Sequence, residues 1–199
     1  MDQERINKIK EARKKYLPDK IKCLFIAEAP PSASDRFFYF EDVGEQDSLY
    51  LEMMKVLFKE KPAESEGDNP YHFLFDMGPS VTELRNNKET YLKKFKDAGY
   101  YLIDNIDFPM PYQHSRTKDK ISFLEGQKDK LYNKIKNLID NKTPIVLISV
   151  PVYQANAGNL SYYGFNIIHN EPISFPGSGR QKKFREKMEN IVETNLNII

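Results

Sequence analysis

The 199-residue chain has a single cysteine, Cys23. A disulfide framework is therefore excluded, and so is a zinc or iron–sulfur site ligated by cysteines of this chain. No apolar run approaches the ~20 residues that span a bilayer. The first 22 residues are charged throughout and lack the apolar stretch of a secretory signal. A cytoplasmic protein without a membrane partner is expected. An excess of one charge is also missing: 30 Lys+Arg face 29 Asp+Glu, a net +1. That total lends no overall support to a nucleic-acid partner. No Gly-Lys-Ser/Thr follows the Gly177-Ser178-Gly179 stretch, so a phosphate-loop NTPase is excluded.

What the chain does have is aromatic side chains, 13 Phe and 12 Tyr, which argue against disorder. The length suits one domain over residues 1–199, and such a domain buries roughly 70% of its unfolded surface. The neutral total hides segregation. Residues 41–76 carry ten acids and three bases, while residues 180–187 carry five bases and one acid. Each segment alone reads as a solvated surface, but together they polarise the molecule. The stretch 61–70, with Glu64, Ser65, Glu66, Gly67, Asp68 and Asn69, reads as a surface loop.

Short apolar runs at 21–27, 100–104, 144–150 and 165–169 read as strands. Helical spacing occupies 3–15, 48–59, 80–97, 121–140, 151–160 and 179–195. Ser80 and Glu83 have capping-box spacing. Unbroken apolar strands that alternate with helices imply a parallel sheet covered on both faces. The expected fold is a three-layer α/β/α sandwich with a four-stranded parallel sheet. Ligands in such folds bind beyond the carboxyl ends of the strands, so the residues just past each strand carry the functional signal.

The first strand runs into Ala27-Glu28-Ala29-Pro30-Pro31 and then Arg36-Phe37-Phe38-Tyr39-Phe40. A carboxylate beside stiffening prolines suits an orienting or proton-handling group, or else caps a neighbouring loop. Four consecutive aromatics cannot all face the core, so at least one should line a surface or cleft. The second strand ends in Asp104-Asn105, whose amide could read a base edge or simply shape a turn. His114, Arg116, Lys118 and Lys120 make the following loop basic. The fourth ends in His169-Asn170-Glu171-Pro172. Ser178 and Gly179 then precede Arg180 and Lys182 at a helix start, a setting that favours an anion.

Taken in order, these strand ends resemble the uracil-DNA glycosylase superfamily. Ala27-Glu28-Ala29-Pro30-Pro31 matches the first motif in its Gly-Glu-Ala-Pro-Gly form. Asn105 matches the base-binding Asn, and His169 matches the His of the final His-Pro-Ser motif. The resemblance runs from about residue 22 to 196. It implies excision of uracil or another deaminated base from DNA after base flipping. Phe38 or Tyr39 would stack on the base, beside Ala29 and Pro30, and Asn105 would read its edge. His169 would donate to the departing base. Glu28, helped by Asp35, would orient the attacking water. Ser178, Gly179, Arg180 and Lys182 would meet the DNA backbone. Neither a cofactor nor a metal is implied, and a monomer is expected. The alternatives are a nucleic-acid or nucleotide-binding module without catalysis on the same fold, or a hydrolase of a small nucleoside-type substrate.

Overall fold

The computed structural model describes residues 3–59 and 78–196. The expected loop over 61–70 lies outside the described residues. The four apolar runs form strands β1 (Cys23–Ala27), β2 (Tyr100–Asp104), β3 (Pro144–Leu147) and β4 (Asn166–Ile167). They make one parallel sheet in the order β2-β1-β3-β4. Leu24 sits in register with Tyr101 on one side and Ile145 on the other. All residues of β1 and β2 are buried, as a sheet sandwiched between helical layers requires. The expected three-layer α/β fold is thus present.

The helices are α1 (Gln3–Lys15), α2 (Ser48–Leu57), α3 (Val81–Asn86), α4 (Lys88–Asp97), α5 (Thr117–Glu125), α6 (Lys128–Lys136), α7 (Val150–Tyr162) and α8 (Gln181–Asn195). Helix α2 packs on α8, and α5 packs on α7. Two expected helices are each split in two. The 80–97 stretch breaks at Asn87, whose φ of −114° and ψ of 28° are not helical. Half of its capping box forms: the Ser80 hydroxyl accepts from the Glu83 N–H at 3.1 Å. Glu83's own carboxylate is taken by the Tyr91 hydroxyl at 2.7 Å. The 121–140 stretch breaks at Gly126-Gln127, where the poorest helix former of the segment ends α5. Helix α5 also starts four residues earlier than the apolar spacing suggests, which places Lys118 and Lys120 on a helix rather than in a loop.

Strand β4 is only two residues long, and His169 explains why. The Ile168 N–H still donates to the Ile145 carbonyl at 3.2 Å. At the next position, the Leu147 N–H donates to His169 Nε2 at 2.9 Å. A side chain thus replaces a main-chain acceptor, and the ladder stops.

The free edge of β2 is covered by the loop after β1. Tyr39 is 1% exposed, and its hydroxyl donates to the Leu102 carbonyl (3.1 Å) while accepting from the Leu102 N–H (2.7 Å). Both unpaired ladder groups of Leu102 are therefore satisfied by one phenol, which also blocks edge pairing. Tyr16 stacks on the same ring at 5.8 Å.

One buried charge stands out. Lys88 is 2% exposed, and its Nζ has no hydrogen-bond partner. It lies over the Tyr50 ring at 4.4 Å, near Asp47 and Arg85. Burial pulls its pKa down to about 8, opposed by Asp47. The fold therefore favours the neutral amine, and stability should rise as pH climbs from about 8 towards the unfolded value of 10.5. Lys88→Met should stabilise the protein at pH 7 by about 1–3 kcal/mol, because it removes an unpaired buried charge. It should also flatten the rise with pH. Urea unfolding of wild type and variant across pH 7–9.5 checks this, and a destabilised variant would contradict it.

Candidate functional site

Because the strands run parallel, the segments after β1, β2 and β4 all leave the sheet at one end. A cleft of about 440 Å³ opens there, off the ends of β1 and β2. That volume lies within the roughly 300–1,000 Å³ of small-molecule sites. Glu28 follows the last residue of β1 and lines the cleft with Ala29 and Pro30. The turn that carries them is clamped from α1: the Arg5 guanidinium donates to the carbonyls of Pro31, Ser32 (2.9 Å) and Ala33 (2.7 Å). Phe37 and Phe38 give the cleft an apolar wall, and Phe175, from the segment after β4, lines it too. Behind the wall, Phe38 rests on Phe95 with ring centroids 5.5 Å apart.

Glu28 is not alone. Lys120 reaches it from α5, with Nζ 2.6 Å from Oε1. Both residues line the cleft, and their side chains are 17% and 26% exposed. Asp104 also lines it, but its carboxylate is bound to Arg13 at 2.6 Å. Burial raises the Asp104 pKa, and Arg13 opposes the rise. Arg13 and Lys134 both bridge onward to Asp107, at 2.9 and 2.8 Å. This network locks the end of β2 in place rather than offering a free acid. Asp47 is likewise held, by Arg85 at 2.8 Å.

The residues expected from the sequence separate into three groups. Glu28, Ala29, Pro30 and Phe38 come together in the cleft. Asn105 lies next to them in the chain's register, since its N–H donates to the Ala27 carbonyl at 2.8 Å. The residue is 2% exposed and does not line the cleft. The amide oxygen accepts from Asn156 of α7 at 2.6 Å, and Nδ2 is buried without a partner.

The second group is placed elsewhere by packing. Tyr39 is committed to the sheet edge, so of the two residues expected to stack only Phe38 lines the cleft, with Phe37 beside it. Asp35 is exposed and pairs with Arg36 at 3.4 Å. It lines a separate groove with Lys8, Lys15 and Glu41, not the cleft of Glu28. His169 does not line the cleft either. Its Nε2 accepts from Leu147, so Nδ1 carries the proton and donates to the Glu171 carbonyl at 2.8 Å. Both ring nitrogens are occupied, and no donor remains for a substrate.

Burial lowers the His169 pKa from 6.5. The folded state therefore binds this proton less readily than the unfolded state. The contribution is complete above pH 6.5 and is lost as pH falls through the lowered value. His169→Asn should give a shallower loss of stability between pH 7.5 and 5.5 in urea unfolding. An unchanged slope would remove His169 from the acid sensitivity.

The third group is exposed. Ser178, Gly179, Arg180 and Lys182 all face solvent, and no side chain caps the first turn of α8. Ser178 and Gly179 have φ of 52° and 78°, which turns the chain sharply into the helix. Glu171, whose charge would repel a phosphate, is neutralised by Lys187 at 2.7 Å, which holds its pKa below the usual carboxylate value.

Three cleft features escape sequence reasoning. Lys120 is visible only as one of several bases after Asn105. Phe175 and Met110 carry no motif at all. The spacing of Lys120 and Leu124, four apart, would have signalled one helix face had the start of α5 been recognised. Among the described residues, no group of three or more His, Cys, Asp or Glu could hold a metal, and no helix is long and apolar enough to cross a membrane. Comparison of the chain with protein-family models, curated proteins and solved structures found no match.

Proposed function

We propose that the protein hydrolyses the N-glycosidic bond of uracil or another deaminated base in DNA. The observation that carries this reading is the position of Glu28. It stands at the carboxyl end of β1, one of the two inner strands, in a cleft walled in part by the aromatic rings of Phe37 and Phe38. A flat ring against that wall would present its glycosidic bond to the carboxylate. Oε1 of Glu28 is bonded to Lys120, and Oε2 remains to take a proton from a water. Negative charge building on the base and positive charge building on the sugar would then be met by opposite charges 2.6 Å apart.

DNA is the proposed partner. The exposed bases Arg180 and Lys182 border the segment that carries Phe175 into the cleft. With a net charge of +1, DNA affinity should be modest and fall steeply with salt. The test is incubation of the protein with labelled single-stranded and duplex oligonucleotides that contain uracil, hypoxanthine or xanthine, followed by alkali. Strand cleavage at one lesion is expected. No product from any lesion, with folded protein, overturns the reading. Release of base from free nucleosides but not from DNA would assign the cleft to a small nucleoside-type substrate instead.

A further inference from the structure

Breaking an N-glycosidic bond leaves the electron pair on the ring, so the departing base needs a positive charge or a proton. His169 has neither to offer, because both of its nitrogens are bound to backbone groups. Among the described residues, two cationic side chains line the cleft, Arg36 and Lys120. Arg36 is engaged with Asp35 and Gln46. Lys120 makes one hydrogen bond, to Glu28, which leaves two of the three ammonium donors. Its placement is firm: Leu124, one turn later on the same face of α5, is fully buried, so the helix turns Lys120 inward.

We propose that Lys120 is the catalytic acid for the leaving base, and that the cleft binds planar nucleobase anions through it. The catalytic half rests on the glycosidic reading of the cleft. As the C1′–N bond breaks, its electron pair passes to the ring nitrogen, and the ring takes a proton from the Lys120 ammonium. Water adds through its oxygen to C1′ and gives a proton to Glu28. That proton returns to Lys120 across the 2.6 Å contact and restores the ion pair. One water is consumed, and a neutral base and a sugar bearing a C1′ hydroxyl are released.

The test has two arms, each run on wild type, Lys120→Ala and Lys120→Gln, the last one atom shorter than lysine but uncharged and polar, should the alanine variant fold poorly. In the first arm, free 5-nitrouracil, an anion at mildly alkaline pH, is titrated calorimetrically against the protein. Wild type should bind it, and loss of Lys120 should weaken binding at least about tenfold, the effect of one charge-assisted hydrogen bond. In the second arm, single-turnover cleavage is measured on duplexes that carry uracil or 5-fluorouracil. Loss of Lys120 should slow uracil release by about 10²-fold or more, the usual range of general acid catalysis. The better leaving group, 5-fluorouracil, should suffer much less.

Equal losses on both bases would make Lys120 a positioning residue for Glu28 and overturn the catalytic claim. Anion binding that is absent, or indifferent to Lys120, overturns the site. Binding that depends on Lys120 in a protein that cleaves neither these duplexes nor those carrying hypoxanthine or xanthine would leave the anion site standing, while the glycosidic reading and Lys120's catalytic role fail.

Discussion

Glu28→Gln is expected to slow base release by about 10²–10⁴-fold, the span of a lost general base. Glutamine keeps the volume, and its carbonyl oxygen can still accept from Lys120, so the cleft should retain its shape. What disappears is the negative charge beside the sugar and the ability to take a proton from water. The loss should therefore fall on the single-turnover rate, with DNA affinity close to wild type. Glu28→Ala is a poorer test, because it also strands the half-buried Lys120 without its partner. The check is single-turnover cleavage of whichever lesion wild type processes best, with binding measured separately. A Glu28→Gln variant within about threefold of wild type, against the 10²-fold minimum expected of a general base, would remove Glu28 from the chemistry.

The second large effect is on stability. Phe95→Ala should destabilise the protein by about 3–5 kcal/mol, the usual result of deleting a fully buried phenyl ring. Phe95 of α4 is 0% exposed, and its centroid lies 5.9 Å from Phe25, 5.6 Å from Tyr100 and 5.5 Å from Phe38. It joins β1, β2 and the cleft wall in one contact group, so the void left behind cannot close without moving one of them. For a chain of this size the melting temperature should drop by about 6–20 °C. Phe175→Ala is the matched control: that ring is 42% exposed, and its loss should cost about 0.5 kcal/mol or less. Urea unfolding of both variants settles the comparison, and a Phe95→Ala cost below about 1.5 kcal/mol would show that the wall repacks. Because Phe38 leans on Phe95, the variant should also bind flat rings more weakly in whatever fraction stays folded.

Much of the fold was legible in the chain. The bounds of α1 and β2 match the helical and apolar runs residue for residue, and β1 differs only by its first two positions. A buried parallel strand needs contiguous apolar residues, and that requirement is local. The helix breaks were less legible. Gly126 is a weak stop signal, and Asn87 leaves the helical region although nothing in its own neighbourhood forbids helix.

The site divides along the same line. Glu28 could be placed because it directly follows an apolar run, and a residue there must emerge at the carboxyl end of the sheet. The aromatic run Phe37–Phe40 could not be sorted. All four rings are buried, two of them also walling the cleft, and only the unpaired edge of β2 decides that Tyr39 turns its hydroxyl to Leu102.

The sequence by itself determined the class of sheet, the parallel direction of its strands and the end of the sheet where Glu28 emerges. Tertiary structure alone decided which side chains meet there. Lys120 finds Glu28 across 92 positions, Tyr39 finds Leu102 across 63, and His169 turns its ring back to Leu147 across 22. The reason is physical. Strand and helix formation follow from the pattern of neighbouring residues. The orientation of a polar side chain follows from which buried donor or acceptor would otherwise go unpaired, and those groups come from distant parts of the chain.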